Sequence, residues 1–170
     1  MFAGHEEYLG DVRASPAELF SALDDQFRLS AHMTKRSWKM GWGKMDIVVD
    51  AQGGHAVGSH IELRGRVFGV ALSLDEVVTL REPPYRKRWE TVGEPRLLVI
   101  GAYAMGFEIW SQPSVARIRV SIDYDLPRKG LPRVLGLLFG KSYARWCTRR
   151  MVRDAQRMSM TFARPVVRVS

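Results

Sequence analysis

The spacing of apolar residues changes twice along the chain and divides it into three stretches of different predicted structure. A short strand is predicted over residues 7–13. Helix-start signals follow, because Ser15 suits an N-cap, the next residue is a proline, and Glu18 completes a capping box. The apolar residues after Glu18 recur at helical spacing, and a second short helix is predicted from Asp24 to about Met33. The first stretch therefore predicts one strand and two short helices.

Strands dominate the middle of the chain, where apolar and polar residues alternate from about residue 45 to residue 126. The clearest run is 116–124, in which every second residue is apolar or aromatic and the residues between are Arg, Ser or Asp. The turn sequences QGG at 52–54 and EPP at 82–84 interrupt the alternation. Because such alternation is typical of antiparallel sheets with one buried face, about six to seven strands are predicted.

The last stretch is predicted to be one long amphipathic helix that begins near Lys141 and ends before Pro165. At about 100° per residue, its apolar residues, including Cys147 and Met151, fall on one arc, and a ladder of basic residues lies on another. The preceding segment, 131–140, is apolar and contains two glycines. A separate short helix or a loop is expected there.

This order of elements resembles the helix-grip fold of the START and birch-pollen-allergen-like (SRPBCC) superfamily, which includes polyketide cyclase/dehydrase-like proteins. The resemblance implies an α+β domain in which a curved antiparallel sheet of about six to seven strands wraps around a long C-terminal helix. It also implies two short helices after the first strand and an apolar cavity for small molecules or lipids. We therefore expect residues 1–170 to form a single ligand-binding domain with its core at about 6–163. The segments that carry the resemblance are VRASPAELF at 12–20, DEVV at 75–78, EPP at 82–84, WE at 89–90 and YARWC at 143–147.

The composition fits a globular chain, because 46% of the 170 residues are hydrophobic and 26% are charged. Cys147 is the only cysteine, which excludes an intramolecular disulfide and a cysteine-based zinc site. The longest nearly apolar run, 97–107, is too short to span a bilayer as a helix. The first residues show neither the basic nor the apolar segment of a secretory signal. We expect a cytoplasmic protein without a metal and without a cofactor.

The net charge of +8 is concentrated at one end of the chain, since residues 128–168 contain eleven basic side chains and one acid. Such an excess makes an anionic membrane surface a candidate partner of the basic C-terminal helix, although a solvated helix face is the simpler interpretation. The apolar segment 131–140 has cations on both sides and suits insertion at such a surface, but folding onto the protein's own core is favoured. The sequence argues against nucleic acid, because it contains no recognised reader motif.

The sequence lacks the short motifs of several enzyme classes. No GxSxG motif is present, which excludes the nucleophile elbow of α/β-hydrolases. The segment ending in Lys141 and Ser142 is not a phosphate-binding loop, because the first glycine of that motif would stand at Leu135. Neither a nucleophile nor a nucleotide site is therefore predicted.

Glu76 is the most informative polar residue in the predicted strands. It occupies the apolar phase of the run 70–80, so simple alternation directs its carboxylate inward. A buried carboxylate is costly unless it is paired or protonated, and it would be a polar anchor or an acid/base group. A bulge at 75–76 would instead turn it to solvent, since a slip of one residue reverses the face. Lys87, in the phase of Trp89, is a candidate partner.

Two functions are compatible with these patterns. The leading hypothesis is binding or carriage of a small hydrophobic or lipid-like ligand in an internal apolar cavity. The alternative is a cyclase/dehydratase-type enzyme acting on a polyketide-like or other hydrophobic substrate, with Glu76 and Tyr103 as the candidate catalytic residues that handle protons. Whether the protein is an enzyme stays open. Trp38, Met40 and Trp42 are further aromatic and Met positions that suit a pocket, although such residues are more often plain core. The candidate ligand-binding residues are the inward strand positions and the apolar helix arc: Leu74, Glu76, Trp89, Tyr103, Met105, Phe107, Ile122, Tyr124, Cys147 and Met151.

Overall fold

A computed structural model describes residues 2–25, 45–67 and 69–162. These residues contain seven strands and two helices. In chain order they are β1 Gly4–Val12, α1 Pro16–Asp24, β2 Met45–Val49, β3 His60–Val67, β4 Val70–Glu82, β5 Arg86–Arg96, β6 Tyr103–Ser111, β7 Ala116–Tyr124 and α2 Gly130–Phe162.

The seven strands form one antiparallel sheet in the order β1-β7-β6-β5-β4-β3-β2. Consecutive strands from β2 to β7 are neighbours, as short turns dictate, and β1 closes the far edge by pairing with β7. The predicted alternation is confirmed most clearly in β7, where Ala116, Ile118, Val120, Ile122 and Tyr124 are all buried. The sheet therefore has one apolar inner face, as predicted.

The predicted capping box begins α1. The Glu18 backbone N–H donates to Ser15 Oγ at 3.3 Å, and the Ser15 N–H donates to Glu18 Oε2 at 2.9 Å. Asp24, where a second helix was predicted to begin, is the last residue of α1. The rest of that predicted helix, to about Met33, lies outside the described residues.

Helix α2 begins at Gly130 and is continuous, so residues 131–140 are neither a separate helix nor a loop. The helix lies against β1 and β7. It approaches them closely because the residues that face the fold in its first half are small: Gly136, Gly140 and Ala144 are all buried. A Cβ atom at Gly136 would lie 2.7 Å from Pro127 Cδ. Neither helix in the described part of the chain is long and apolar enough to cross a membrane.

The buried apolar side chains of the described residues form three clusters, which the partly buried Leu97 and Met105 connect, because each of these two packs against two of the clusters. The clusters lie at different parts of the inner face. The α1 cluster contains Val12, Leu19, Phe20, Leu23, Trp89, Phe107, Ile109, Ala116, Ile118, Val120, Met151, Val152 and Ala155; the β3–β4 cluster contains Ile61, Leu63, Leu74 and Val78; and the β7–α2 cluster contains Ile100, Ile122, Tyr124 and Ala144.

Candidate functional site

Glu76 points inward and is only 6% exposed. Its neighbours in phase on β4, Leu74 and Val78, are buried on the same face. The register between β4 and β5 shifts at two places. The extra residue of β4 is Thr79, because Val78 pairs with Trp89 and Leu80 pairs with the adjacent Arg88. The bulge therefore lies beyond Glu76, and of the two orientations that the sequence left open the inward one is observed.

The carboxylate of Glu76 is held by two hydrogen-bond donors from neighbouring strands. The Tyr103 hydroxyl on β6 donates to Glu76 Oε1, and the Trp89 indole on β5 donates to the same carboxylate. Thr91 fixes the start of β6, because its hydroxyl accepts from the Tyr103 N–H at 3.0 Å and donates to the Tyr103 carbonyl at 3.3 Å. We name Glu76, Tyr103 and Trp89 the Glu76 site.

Burial decides the protonation of this site. It raises the pKa of Glu76 to about 7, although the hydrogen bonds from Tyr103 and Trp89 act in the opposite direction. Burial also raises the pKa of Tyr103 well above its usual range, so that this hydroxyl keeps its proton at neutral pH. Glu76 is therefore about half protonated near pH 7, and the pair can both accept and donate a hydrogen bond.

Helix α2 contributes two further groups near Tyr103, the Tyr143 hydroxyl and the Cys147 thiol. The Tyr143 hydroxyl donates to Cys147 Sγ, and both groups interact electrostatically with Tyr103. Burial raises the pKa of the Cys147 thiol to about 12, so it is protonated at neutral pH and is not a nucleophile. Sequence reasoning missed Tyr143; the signal that points to it is its place four residues before Cys147 on the same helix face.

A second polar group, the Asp24 cluster, lies where α1 ends. Lys87 Nζ donates to Asp24 Oδ1 at 2.7 Å and to the Gly54 carbonyl at 2.8 Å. Arg81 Nη2 donates to Asp24 Oδ2 at 2.8 Å, and His55 Nδ1 lies 2.9 Å from the same oxygen. The bulge at Thr79 reverses the alternation of inward and outward side chains along β4, so the Arg81 side chain points toward Asp24. The hydrogen-bonded partner of Lys87 is thus Asp24, whereas Glu76 interacts with Lys87 through its charge, which corrects the sequence-based pairing.

One carboxylate, that of Asp24, is shared by the two cations of the cluster, Lys87 and Arg81. Burial alone would raise the pKa of Asp24, but the hydrogen bonds from Arg81, Lys87 and His55 outweigh burial and hold this pKa well below its usual range. Burial lowers the pKa of Lys87, and the Asp24 carboxylate offsets part of that effect. The cluster joins the end of α1 to β4, to β5 and to the turn at Gly54. Its geometry is that of a structural clamp.

The predicted ligand-binding residues divide into those that are buried and those that are only partly buried. Phe107 is packed within the α1 cluster, edge-on to Phe20 and to Trp89 at ring distances of 5.6 and 6.4 Å. Tyr103, Met105 and Cys147 are only partly buried. The structure brings Tyr103 and Trp89 to the carboxylate of Glu76. Trp38, Met40 and Trp42 lie outside the described residues. Leu74, Ile122, Tyr124 and Met151 are buried within the three apolar clusters.

No group of three or more His, Cys, Asp or Glu side chains is placed to hold a metal ion within the ranges that the structure describes. The Glu76 site consists of three hydrogen-bonding groups. Its donors are one phenol and one indole, and its acceptor is one carboxylate.

Solved structures share this architecture over nearly the whole chain. The aromatase/cyclase ZhuI from Streptomyces sp. R1128 matches with a TM-score of 0.70 at 12% identity, over 98% of this chain and 99% of that chain. Norcoclaurine synthase from Thalictrum flavum, in complex with dopamine and hydroxybenzaldehyde, matches with a TM-score of 0.63 at 11% identity, over 95% and 88%. Ara h 8.0201 matches with a TM-score of 0.57 at 12% identity, over 93% and 98%.

The chain therefore has the fold of these structures, a curved antiparallel sheet around a long C-terminal helix, which is the helix-grip fold that the sequence resemblance implied. No protein-family profile matches the sequence, and no curated protein is similar to it. The structures that match include enzymes, a cyclase and a synthase among them. Because one fold serves many functions, the fold does not separate binding from catalysis.

Proposed function

We propose that this chain binds a small, largely apolar ligand on the inner face of the sheet, with the Glu76–Tyr103 pair bonded to one polar group of that ligand. The observation that carries this proposal is the position of the pair. Glu76 lies beside the β3–β4 cluster, Trp89 belongs to the α1 cluster, and Tyr103 packs against the β7–α2 cluster. The pair thus lies where the three apolar clusters meet.

The cost of burying this pair supports a role in recognition. A carboxyl group that is shielded from water is expensive, and apolar residues at the same positions would pack at lower cost. Ile61 and Thr91 flank Glu76 in register on β3 and β5, so an apolar residue at this place would continue the β3–β4 cluster. A polar group placed among apolar walls is the usual means by which a ligand site fixes the orientation of its ligand.

A matched pair of ligands tests the proposal. 1-Naphthol and 1-methylnaphthalene have nearly the same shape, but only naphthol has a hydroxyl group. Isothermal titration calorimetry is expected to show that the wild-type chain binds both and prefers naphthol by about fivefold, since one net hydrogen bond is worth about 1 kcal/mol. The Glu76→Leu/Tyr103→Phe double variant is expected to keep methylnaphthalene binding and to lose the preference.

The control is the Glu62→Leu/Tyr85→Phe double variant, which makes the same chemical changes at two outward side chains. Glu62 is paired with Arg64 at the surface, and Tyr85 is exposed. This variant should bind both compounds as the wild type does. The proposal fails if the preference for naphthol survives in the Glu76→Leu/Tyr103→Phe variant, or if the wild-type chain binds neither compound.

The second candidate function is general acid/base catalysis of the cyclase/dehydratase type. It is favoured by the raised pKa of Glu76, about 7, because a base whose pKa is close to the working pH is the most effective. In a dehydration, the Glu76 carboxylate would take the proton next to a ketone while Tyr103 gives its proton to the leaving hydroxyl. Water and an enone result. The proton on Glu76 then returns to Tyr103 through their hydrogen bond.

A β-hydroxy ketone that carries a naphthyl group tests this second function, because its dehydration forms a conjugated enone with a new absorbance. The expected rate rises with pH through about 7 as Glu76 ionises, and Glu76→Gln lowers it to the uncatalysed rate. An unchanged rate in Glu76→Gln would exclude Glu76 as the base. Naphthol binding without enone formation would leave binding as the function.

A further inference from the structure

The first half of α2 presents its large apolar side chains outward. At about 100° per residue, Leu131, Val134, Leu138 and Phe139 fall within about 140° of one another on the side away from the buried glycines. Leu131 and Leu138 are 68% and 67% exposed. The helix thus buries glycine and exposes leucine, which reverses the arrangement of an ordinary surface helix.

Basic residues surround this apolar face, and the sequence from 126 to 153 contains no acid. Arg145 and Lys141 are paired with Glu6 at 3.1 and 3.9 Å. Arg128 Nη1 lies 4.0 Å from Glu94 Oε1 with both side chains exposed, and Lys129 has no ion pair within the part of the chain that the structure describes. We name the exposed apolar residues Leu131, Val134, Leu138 and Phe139, together with Arg128 and Lys129 at the start of the helix, the α2 face.

We propose that the α2 face docks on an anionic phospholipid membrane, with its leucines in the headgroup region and its cations on the lipid phosphates. Exposed aliphatic side chains flanked by Lys and Arg are the features that bind a helix to such a surface. A second copy of the chain would bring two faces of the same charge together, which opposes pairing. This inference rests on the α2 face alone and is independent of the Glu76 site.

Vesicle sedimentation tests the apolar part of this proposal. The wild-type chain is expected to bind phosphatidylcholine vesicles containing about 30% phosphatidylserine at least tenfold more tightly than vesicles of phosphatidylcholine alone. The Leu131→Gln/Leu138→Gln variant should bind the anionic vesicles at least tenfold less tightly, because Gln supports a helix but does not enter the lipid. The control, Val48→Gln/Val57→Gln, changes two equally exposed apolar residues on the β2–β3 side and should bind as the wild type does.

The charges are tested in the same assay. Arg128→Gln/Lys129→Gln is expected to weaken binding to the anionic vesicles by about 25-fold, since each cation near such a surface contributes about fivefold. Arg64→Gln/Arg66→Gln removes the same charge from exposed residues of β3 and should have a much smaller effect. Raising the salt concentration should weaken wild-type binding, because salt screens the lipid charge.

Three results would overturn the proposal. Equal binding of the wild-type chain to neutral and anionic vesicles would show that the cations do not recognise the lipid. A dimer in solution that Leu131→Gln/Leu138→Gln converts to a monomer, without vesicle binding by either, would assign the α2 face to a second copy. A large fall in the melting temperature of this variant, again without vesicle binding, would show that the chain itself covers the face.

Discussion

Replacing Asp24 by Asn is expected to destabilise the fold by about 3 to 5 kcal/mol, the usual cost of removing one partner of a buried ion pair. The variant would leave the ammonium of Lys87, which is 1% exposed, without a carboxylate. The Gly54 carbonyl would still accept its 2.8 Å hydrogen bond, but a carbonyl does not neutralise a charge. Arg81 would lose its partner at the same time. The measurement is urea denaturation at pH 7, followed by circular dichroism.

Two further variants show whether this loss comes from the buried charge. Asp11→Asn breaks the exposed ion pair with Arg117 and should have a far smaller effect, because water solvates both groups. Asp24→Asn/Lys87→Met removes both charges of the buried pair and should recover part of the lost stability. The structural role of the clamp is contradicted if Asp24→Asn costs no more than Asp11→Asn.

The second large effect is on the pH dependence of stability, and it comes from Glu76. The pKa of this carboxyl is about 7 in the folded chain and near 4.5 when it is unperturbed. Between these two values the folded chain holds a proton that the unfolded chain releases, so the free energy of unfolding falls as pH rises from about 4.5 to about 7. The loss is about 3 kcal/mol and is constant above that range.

The amide in Glu76→Gln does not ionise, so the free energy of unfolding of this variant should not fall with rising pH in this way. Urea denaturation at pH 5, 6, 7 and 8 is expected to show the variant gaining stability relative to the wild type, by about 2 to 3 kcal/mol between the first pH and the last. Glu62→Gln, at a partly exposed position on β3, should follow the wild-type curve. Parallel curves for the wild type and Glu76→Gln would show that the folded chain does not raise the pKa of Glu76.

Local patterns in the sequence predicted the features that depend on neighbouring residues. The capping box of Ser15 and the alternation of β7 are such features, because each is set within a few positions. The inward phase of Glu76 follows from the same alternation. The antiparallel order follows from short turns, since these make consecutive strands neighbours.

Local patterns in the sequence did not predict contacts between distant segments. Lys87 is separated from Asp24 by 63 residues, and no local signal pairs them. The bulge at Thr79, which turns Arg81 toward the same carboxylate, depends on the register between β4 and β5 and not on composition. Sequence reasoning therefore placed Lys87 on the correct face but missed Asp24 as its hydrogen-bonded partner.

The apolar segment at the start of α2 was predicted wrongly for a different reason. Apolar residues are normally buried, so 131–140 was expected to fold onto the core. Gly136 and Gly140 instead occupy the contact side, where a Cβ at Gly140 would lie 2.9 Å from Leu126 Cδ2. Once the glycines face inward, helical geometry directs Leu131 and Leu138 outward. The ligand-binding roles of the predicted site residues stay predictions.

Native mass spectrometry of the chain, purified without detergent and followed by denaturing extraction, tests the proposed ligand site most directly. We expect one small apolar compound, with at least one hydrogen-bonding group, to be bound per wild-type chain. The Glu76→Leu/Tyr103→Phe variant should carry less of it, whereas Glu62→Leu/Tyr85→Phe should carry the same amount. A wild-type chain that carries no adduct, and that acquires none after incubation with 1-naphthol, would contradict the proposed ligand site.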